Sequence, residues 1–183
     1  MNILILGANG AVARLVEEQI LTDKAFADER LTLLLRNKSR AMDLLSEQSS
    51  IIEGDTNDVA SLRDAVENQD IVIDTTGSSK DLKVATNIIQ AMEENSVSRL
   101  ISIVNEQWQV DQSLVKLYQR AGIDYTILRV ASLNDKASVD YRVTTEQTNS
   151  SAVSRKAVAQ IILDIVDDPA NLFNQNVNVE QTV

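Results

Sequence analysis

The sequence predicts an α/β fold: a doubly wound, mostly parallel sheet between two helical layers, α/β/α, forming one domain over residues 1–183. Two observations carry this. Short apolar runs of strand length alternate six times with segments of helical spacing, the pattern of a parallel sheet with crossover helices. The first run, Ile3-Leu4-Ile5-Leu6, breaks into Gly7-Ala8-Asn9-Gly10 and passes at once into a helical pattern. The length fits one domain with a sizeable core.

Composition removes several classes of function. With no cysteine there is no disulfide, thiolate nucleophile or sulfur metal site, and with no histidine the commonest general base and metal ligand is missing. No metal site is therefore expected. A net charge of −10 argues against nucleic acid, whose phosphates need a basic face. No apolar run is long enough to cross a membrane and no leader is visible before the first strand, so a cytoplasmic protein with no membrane partner is expected.

The first strand, turn and helix form a phosphate site in outline. Gly7 and Gly10 allow a tight turn and close approach of the backbone, and the helix N-terminus presents free N–H groups to an anion. The spacing is G-x-x-G-x-x-A, with Ala13 as the third small residue. Val12, Leu15, Val16, Gln19 and Ile20 form the inner stripe of this helix, with Arg14, Glu17 and Glu18 on the other face. The backbone from Gly7 through Ala8, Asn9, Gly10, Ala11 and Val12 is the expected cradle for the dinucleotide pyrophosphate.

Residues 23–30 read as a loop or frayed helical turn, and Leu31–Leu35 as the second strand. Arg36 ends that strand where a dinucleotide-binding sheet reads the adenosine ribose. An acidic residue there favours NAD. An arginine offers a planar fork to a 2′-phosphate and a flat face to adenine. Arg36, backed by Lys38 and Arg40, therefore predicts NADP rather than NAD.

A short helix is expected around Ala41–Leu45 and a third strand at Ile51-Ile52. Gly54 and Asp55 enter the next helix, which carries Val59, Leu62, Ala65 and Val66 on one face and is capped by Asn57 or Asp58. Asp55 is either an acceptor for the adenine amino group or a turn residue. The fourth strand, Asp70–Asp74, ends in Thr75-Thr76-Gly77 at the carboxyl side of a central strand, and these three complete the cofactor set with Thr56. A long helix follows, bearing Leu82, Ala85, Ile88, Ile89 and Met92. The fifth strand, Leu100–Val104, ends at Asn105, and the next helix carries Val110, Leu114, Leu117 and Tyr118 before Gly122 stops it. Ile123–Leu128 is the sixth strand. Beyond it lie an edge strand at Tyr141–Thr144, a helix capped by Ser154 and stopped at Asp168-Pro169, and a short strand at Val177–Val179.

Taken together, Gly7–Ala13, Arg36, Gly54-Asp55, Ala121–Arg129 and Val153–Ala159 resemble the atypical short-chain dehydrogenases, with NmrA-like and flavin reductase-like members nearest. The string Gly122-Ile123-Asp124-Tyr125-Thr126-Ile127-Leu128-Arg129 is the most specific. This resemblance implies a Rossmann-type fold, a bound NADP or NAD, and a substrate pocket beside the nicotinamide.

The chain departs from the family where proton transfer is handled. Val104-Asn105 stands where a serine is usual, and Gln107–Asp111 where Tyr-x-x-x-Lys is usual; Arg129-Val130 replaces Arg-Pro. Lys116 and Tyr118 have the wrong order and spacing, and Tyr118 reads as core. Asn105 and Trp108 are the acceptor-side candidates, Trp108 either stacking on a flat acceptor or packed for stability. Two functions are expected from these residues. One is an NADPH-dependent reductase of a small, flat acceptor such as a flavin or quinone, working without a Ser/Tyr/Lys triad. The other is a non-catalytic nucleotide sensor acting through a protein partner.

Overall fold

The computed structural model describes residues 1–77, 81–105, 112–146 and 152–182. In chain order the strands are β1 (Asn2–Leu6), β2 (Arg30–Leu35), β3 (Ser49–Glu53), β4 (Ile71–Asp74), β5 (Arg99–Asn105), β6 (Asp124–Val130), β7 (Leu133–Asn134), β8 (Tyr141–Thr144), β9 (Val153–Ser154) and β10 (Gln175–Gln181). The α-helices are α1 (Ala13–Thr22), α2 (Val59–Val66), α3 (Leu82–Glu94), α4 (Gln112–Arg120) and α5 (Arg155–Asp167). An eight-stranded sheet runs β3-β2-β1-β4-β5-β6-β10-β8, parallel throughout except for β8, which is antiparallel to β10. The order reverses between β1 and β4, and it is outside the carboxyl ends of those two strands that such a sheet opens a crevice.

Sequence dictates this arrangement through burial on both faces. Ile3, Leu4, Ile5 and Leu6 are all fully buried, as an unbroken apolar run in a central parallel strand requires. One core cluster joins β1 to α1 and α5, and the other joins the opposite face to α2, α3 and α4. That is the three-layer arrangement. Asp58, Asp81 and Ser154 cap α2, α3 and α5 through side-chain oxygens.

Several expected elements are corrected. The helix expected around Ala41–Leu45 is a 3-10 helix over Lys38–Leu44, in which Ala41 and Leu44, three apart, are buried while Met42 and Leu45 are exposed. The helix expected directly after Gly10 begins at Ala13. Its inner stripe is Ala13, Val16, Glu17 and Ile20, so Glu17 lies inside and Gln19 outside, the reverse of the expected faces. The strand expected at Val177–Val179 extends over Gln175–Gln181, because it pairs with both β6 and β8. The parallel pair β7 and β9 was not foreseen.

Candidate functional site

The turn after β1 is held by the elements around it. Gly7 has φ of +80° and its N–H, like that of Ala8, donates to the Leu34 carbonyl at 3.1 Å. A Cβ on Gly7 would stand 2.9 Å from Thr76 Cγ2 and 3.2 Å from Thr76 Cα, so only glycine lets the turn lie against the end of β4. Thr75 closes this contact by donating from Oγ1 to the Leu6 carbonyl at 2.8 Å. Beneath Thr76, the fully buried Asp74 accepts from the Thr76 N–H at 3.0 Å and its hydroxyl at 2.6 Å.

Asn9 also takes a positive φ, 60°, and its N–H is turned onto the carboxylate of Glu17, 3.0 Å from Oε1 and 3.3 Å from Oε2. Its side-chain oxygen accepts from Arg14 Nη1 at 3.1 Å. No side chain caps the first turn of α1; the N–H groups of Arg14 and Leu15 donate to the carbonyls of Gly10 and Val12.

A cavity of about 560 Å³ lies over this turn and is walled by the carboxyl ends of β1 to β4. Of the expected cofactor residues, Gly7, Ala8, Asn9, Gly10, Arg36, Arg40, Asp55, Thr56, Thr75 and Thr76 line it. Ala11, Val12, Lys38 and Gly77 do not. Val12 is packed in the apolar core, so its side chain is withdrawn from the cavity. Lys38 is exposed, and its backbone N–H donates to Glu53 Oε2 at 3.1 Å.

At the far end of the cavity, Arg36, Asn37 and Arg40 follow β2, with the Asn37 side chain capping the 3-10 helix by accepting from Ser39 N–H. Facing them is the turn after β3. Asp55 Oδ1 accepts from the backbone N–H of Asn57 at 2.9 Å and from its side-chain amide at 3.0 Å. Those two bonds, with a smaller contribution from Arg36, hold the Asp55 carboxyl below the usual range. The buried Asn87 of α3 braces this turn by donating to the carbonyls of Thr56 and Asn57, each at 3.2 Å.

Sequence reasoning missed Asn37 and Asn57 as lining residues, Asn87 as a brace and Glu17 as the acid beneath the first turn. For Glu17 a helical stripe rotated from the expected one would have placed it inside. It stands at the i+4 position from Ala13 and i+1 from Val16, inside the stripe that faces the sheet.

Asn105 is exposed at the carboxyl end of β5. Trp108 lies outside the described residues, as does the Gln107–Asp111 stretch. Tyr118 is core as expected: it is fully buried, with its hydroxyl 3.0 Å from Ser102 Oγ.

The residues present fit a dinucleotide. The turn offers the backbone of Gly7 to Gly10 on the cavity wall for a pyrophosphate, while the far end offers two arginines after β2.

Comparison with known proteins agrees. Residues 7–169 match the family model described as NAD(P)H-binding. A Rossmann-fold NAD(P)-binding family protein from Shigella flexneri is 34% identical, with 98% of this chain and 93% of that one covered, at a TM-score of 0.86. A short-chain dehydrogenase/reductase (wide type) from Veillonella parvula, solved in complex with NADP, is 26% identical over 98% of this chain and 94% of that one, at 0.81. An anaerobilin reductase from Escherichia coli shares the fold, at 21% identity and a TM-score of 0.82 over 98% of this chain and 97% of that one. No curated protein matches the chain.

Proposed function

The chain belongs to the NAD(P)H-binding family of Rossmann-fold, atypical short-chain dehydrogenase type, and from that premise we propose that it is an NADPH-dependent reductase of a flat, electrophilic acceptor such as a flavin or quinone. The observation that carries the nucleotide choice is the wall after β2. Arg36 and Arg40 line the cavity there, with Asn37 between them and no carboxylate from that segment. A guanidinium fork suits a 2′-phosphate, whereas an acid at that place suits the free ribose hydroxyls of NAD. The NADP carried by the 26% identical relative supports the same choice.

The acceptor class follows from what the chain's own groups can do. Bound NADPH supplies a hydride. The protein's residues must hold the nucleotide and orient the acceptor, Asn105 and Trp108 being the candidates for that task. Reduction of a plain carbonyl also needs an acid at the oxygen. All three tyrosines are engaged elsewhere: Tyr118 with Ser102, Tyr125 buried beside Gln119, and Tyr141 with Asp164. A flavin or quinone spreads the incoming charge over its rings and takes its proton from water, so it needs no such acid. The same engaged tyrosines favour a second reading, a nucleotide sensor that binds NADP and acts through a protein partner.

Calorimetry with NADPH and NADH tests the nucleotide. Arg36→Ala is expected to cost NADPH about 1.5–3 kcal/mol, roughly ten- to a hundredfold or more, and to leave NADH nearly unchanged. Equal affinity of the wild type for both nucleotides overturns the NADP assignment. NADPH oxidation is then followed over flavins, quinones, aldehydes and ketones. Turnover is expected with the first two classes and is insensitive to Tyr118→Phe. A ketone as the best substrate defeats the reductase reading, and binding without turnover of any acceptor gives the sensor.

A further inference from the structure

An acid is buried directly behind the phosphate turn. Glu17 is fully buried on the inner stripe of α1, yet its carboxylate accepts from one backbone group, the Asn9 N–H, through both oxygens at 3.0 and 3.3 Å. Asn9 lines the cavity on its other side and stands at a positive φ of 60°, a left-handed conformation that asparagine adopts more readily than most residues. We propose that Glu17 is the positioning residue of the nucleotide turn, and that binding of the nucleotide's phosphates shifts its carboxylate to the acid form, with uptake of a fraction of a proton from solvent. The inference rests on the reading of this turn as the pyrophosphate site.

The coupling is electrostatic. Burial pushes the Glu17 carboxyl up to about 7, against the N–H of Asn9, which favours the anion. The other charges acting on it are few. Arg14, on its own helix, favours ionisation, while Glu18 of that helix and Asp43 of the 3-10 helix oppose it. Arg14 is itself drawn outward onto Asp43 and Glu18, which neutralise it on the surface. Neither β1 nor α5, which pack against α1, contributes a charge among those acting on Glu17.

In the free protein near neutral pH the site is therefore poised between carboxylate and acid. A pyrophosphate laid on the cavity side of the Asn9 peptide adds negative charge one peptide away, across poorly solvated protein. That repulsion disfavours the carboxylate, and the acid form keeps a carbonyl oxygen for the Asn9 N–H. The turn thus retains its shape as the charge beneath it is removed. A leucine here would fill the core but leave the Asn9 N–H without its acceptor, so the acid serves the turn and not the packing.

Calorimetry of NADH and NADPH binding, in two buffers of different ionisation heat at pH 7.5, reads the proton directly. NADH lacks the 2′-phosphate, whose own titration would confuse the NADPH result. The wild type is expected to take up roughly half a proton or more. Its affinity should fall by up to about tenfold from pH 7 to 8.5, since one linked proton limits the slope to tenfold per pH unit. Glu17→Gln keeps an acceptor for the Asn9 N–H but cannot titrate, and should bind with no uptake from this group and a flat pH profile.

A wild type that binds nucleotide with no more uptake than Glu17→Gln overturns the inference and leaves the nucleotide reading intact. Failure to bind either nucleotide defeats that reading, and the inference with it. Should the variant not fold, carbon-13 titration of Glu17 in the wild type decides: its midpoint must rise on saturation with NADH, and an unmoved midpoint rejects the coupling.

Discussion

The turns that end β1 and β3 each set a carboxylate against a backbone amide at the same crevice, yet their two acids are moved in opposite directions. Glu17 behind the first turn is pushed up to about 7, while Asp55 in the second is held below the usual carboxylate range. The bonds are alike: Glu17 receives the Asn9 N–H at 3.0 Å and Asp55 the Asn57 N–H at 2.9 Å. What differs is water. Glu17 is fully buried, and Asp55 keeps part of its surface in solvent and adds the Asn57 side-chain amide and the nearby Arg36. Two hydrogen bonds to the anion outweigh a small desolvation cost at Asp55, and one does not outweigh a complete one at Glu17. The first turn is therefore fixed by buried structure and sensitive to pH near neutrality, and the second is fixed by local bonding and indifferent to it.

The largest test of this contrast strikes the glycines. At Gly7 a Cβ meets Thr76 Cγ2 at 2.9 Å and backbone Cα at 3.2 Å, with φ at +80°. Gly7→Ala carries both left-handed strain and overpacking, about 2–5 kcal/mol in sum. At Gly54 the contacts are as tight, 2.8 Å to Ser61 Cβ and 3.0 Å to Leu34 Cδ1, but no left-handed φ is imposed. Gly54→Ala therefore carries only the packing part, about 1–3 kcal/mol. Urea unfolding of the two variants should rank them in that order. A reversed rank means that the second turn, not the first, is the rigid one.

The same contrast shows what was legible in the sequence. The succession of strands along the chain, the glycine turn and the arginine after β2 are readable because each is written locally, as an apolar run, a pair of glycines or a residue at a strand end. Glu17 is not. An acid beside Glu18 reads as a solvated face, and Val12, Leu15 and Gln19 suggest a stripe rotated from the one that is buried. The error is physical: periodicity assumes that charge seeks water, and here one carboxylate is kept inside by the amide it receives. The 3-10 helix was misread for a related reason. Ala41 and Leu44 fit either helix, and only the exposure of Met42 and Leu45 distinguishes them. Two-residue strands such as β7 and β9 have no periodicity to read. Asn87, which braces the second turn from 30 residues away, has no local pattern that marks its partner.

Stability measured against pH gives the next effect in size. Glu17 has an ordinary value of 4.5 and a folded value of about 7, so between these the folded protein binds the more protons. Its contribution is present at acid pH and is lost as pH rises towards 7. Between pH 5.5 and 8 the wild type should lose about 2 kcal/mol through this group. Glu17→Gln should not lose it, although its unpaired amide nitrogen lowers its stability at every pH. The quantity to compare is the slope of unfolding free energy with pH, by urea titration at four or five values. Equal slopes in wild type and variant mean that Glu17 does not titrate in this window.

The smallest effect is expected at Asp55, and it sharpens the contrast from the other side. Its folded value lies below the ordinary 3.8, so the stability it gives is complete above that value and is lost only as pH falls through the lower, folded one. Asp55→Asn keeps an oxygen for the Asn57 N–H and loses only the extra strength of the charged acceptor. Solvent screens that term, so the cost is about 0.5 kcal/mol or less. From pH 5 to 8 the unfolding curves of wild type and Asp55→Asn should run parallel, separated by that small offset, where those of Glu17→Gln diverge. Divergence of the Asp55→Asn curves within this range would mean that the second turn also carries a buried, neutral-pH titration. The difference between the two turns would then not come from water.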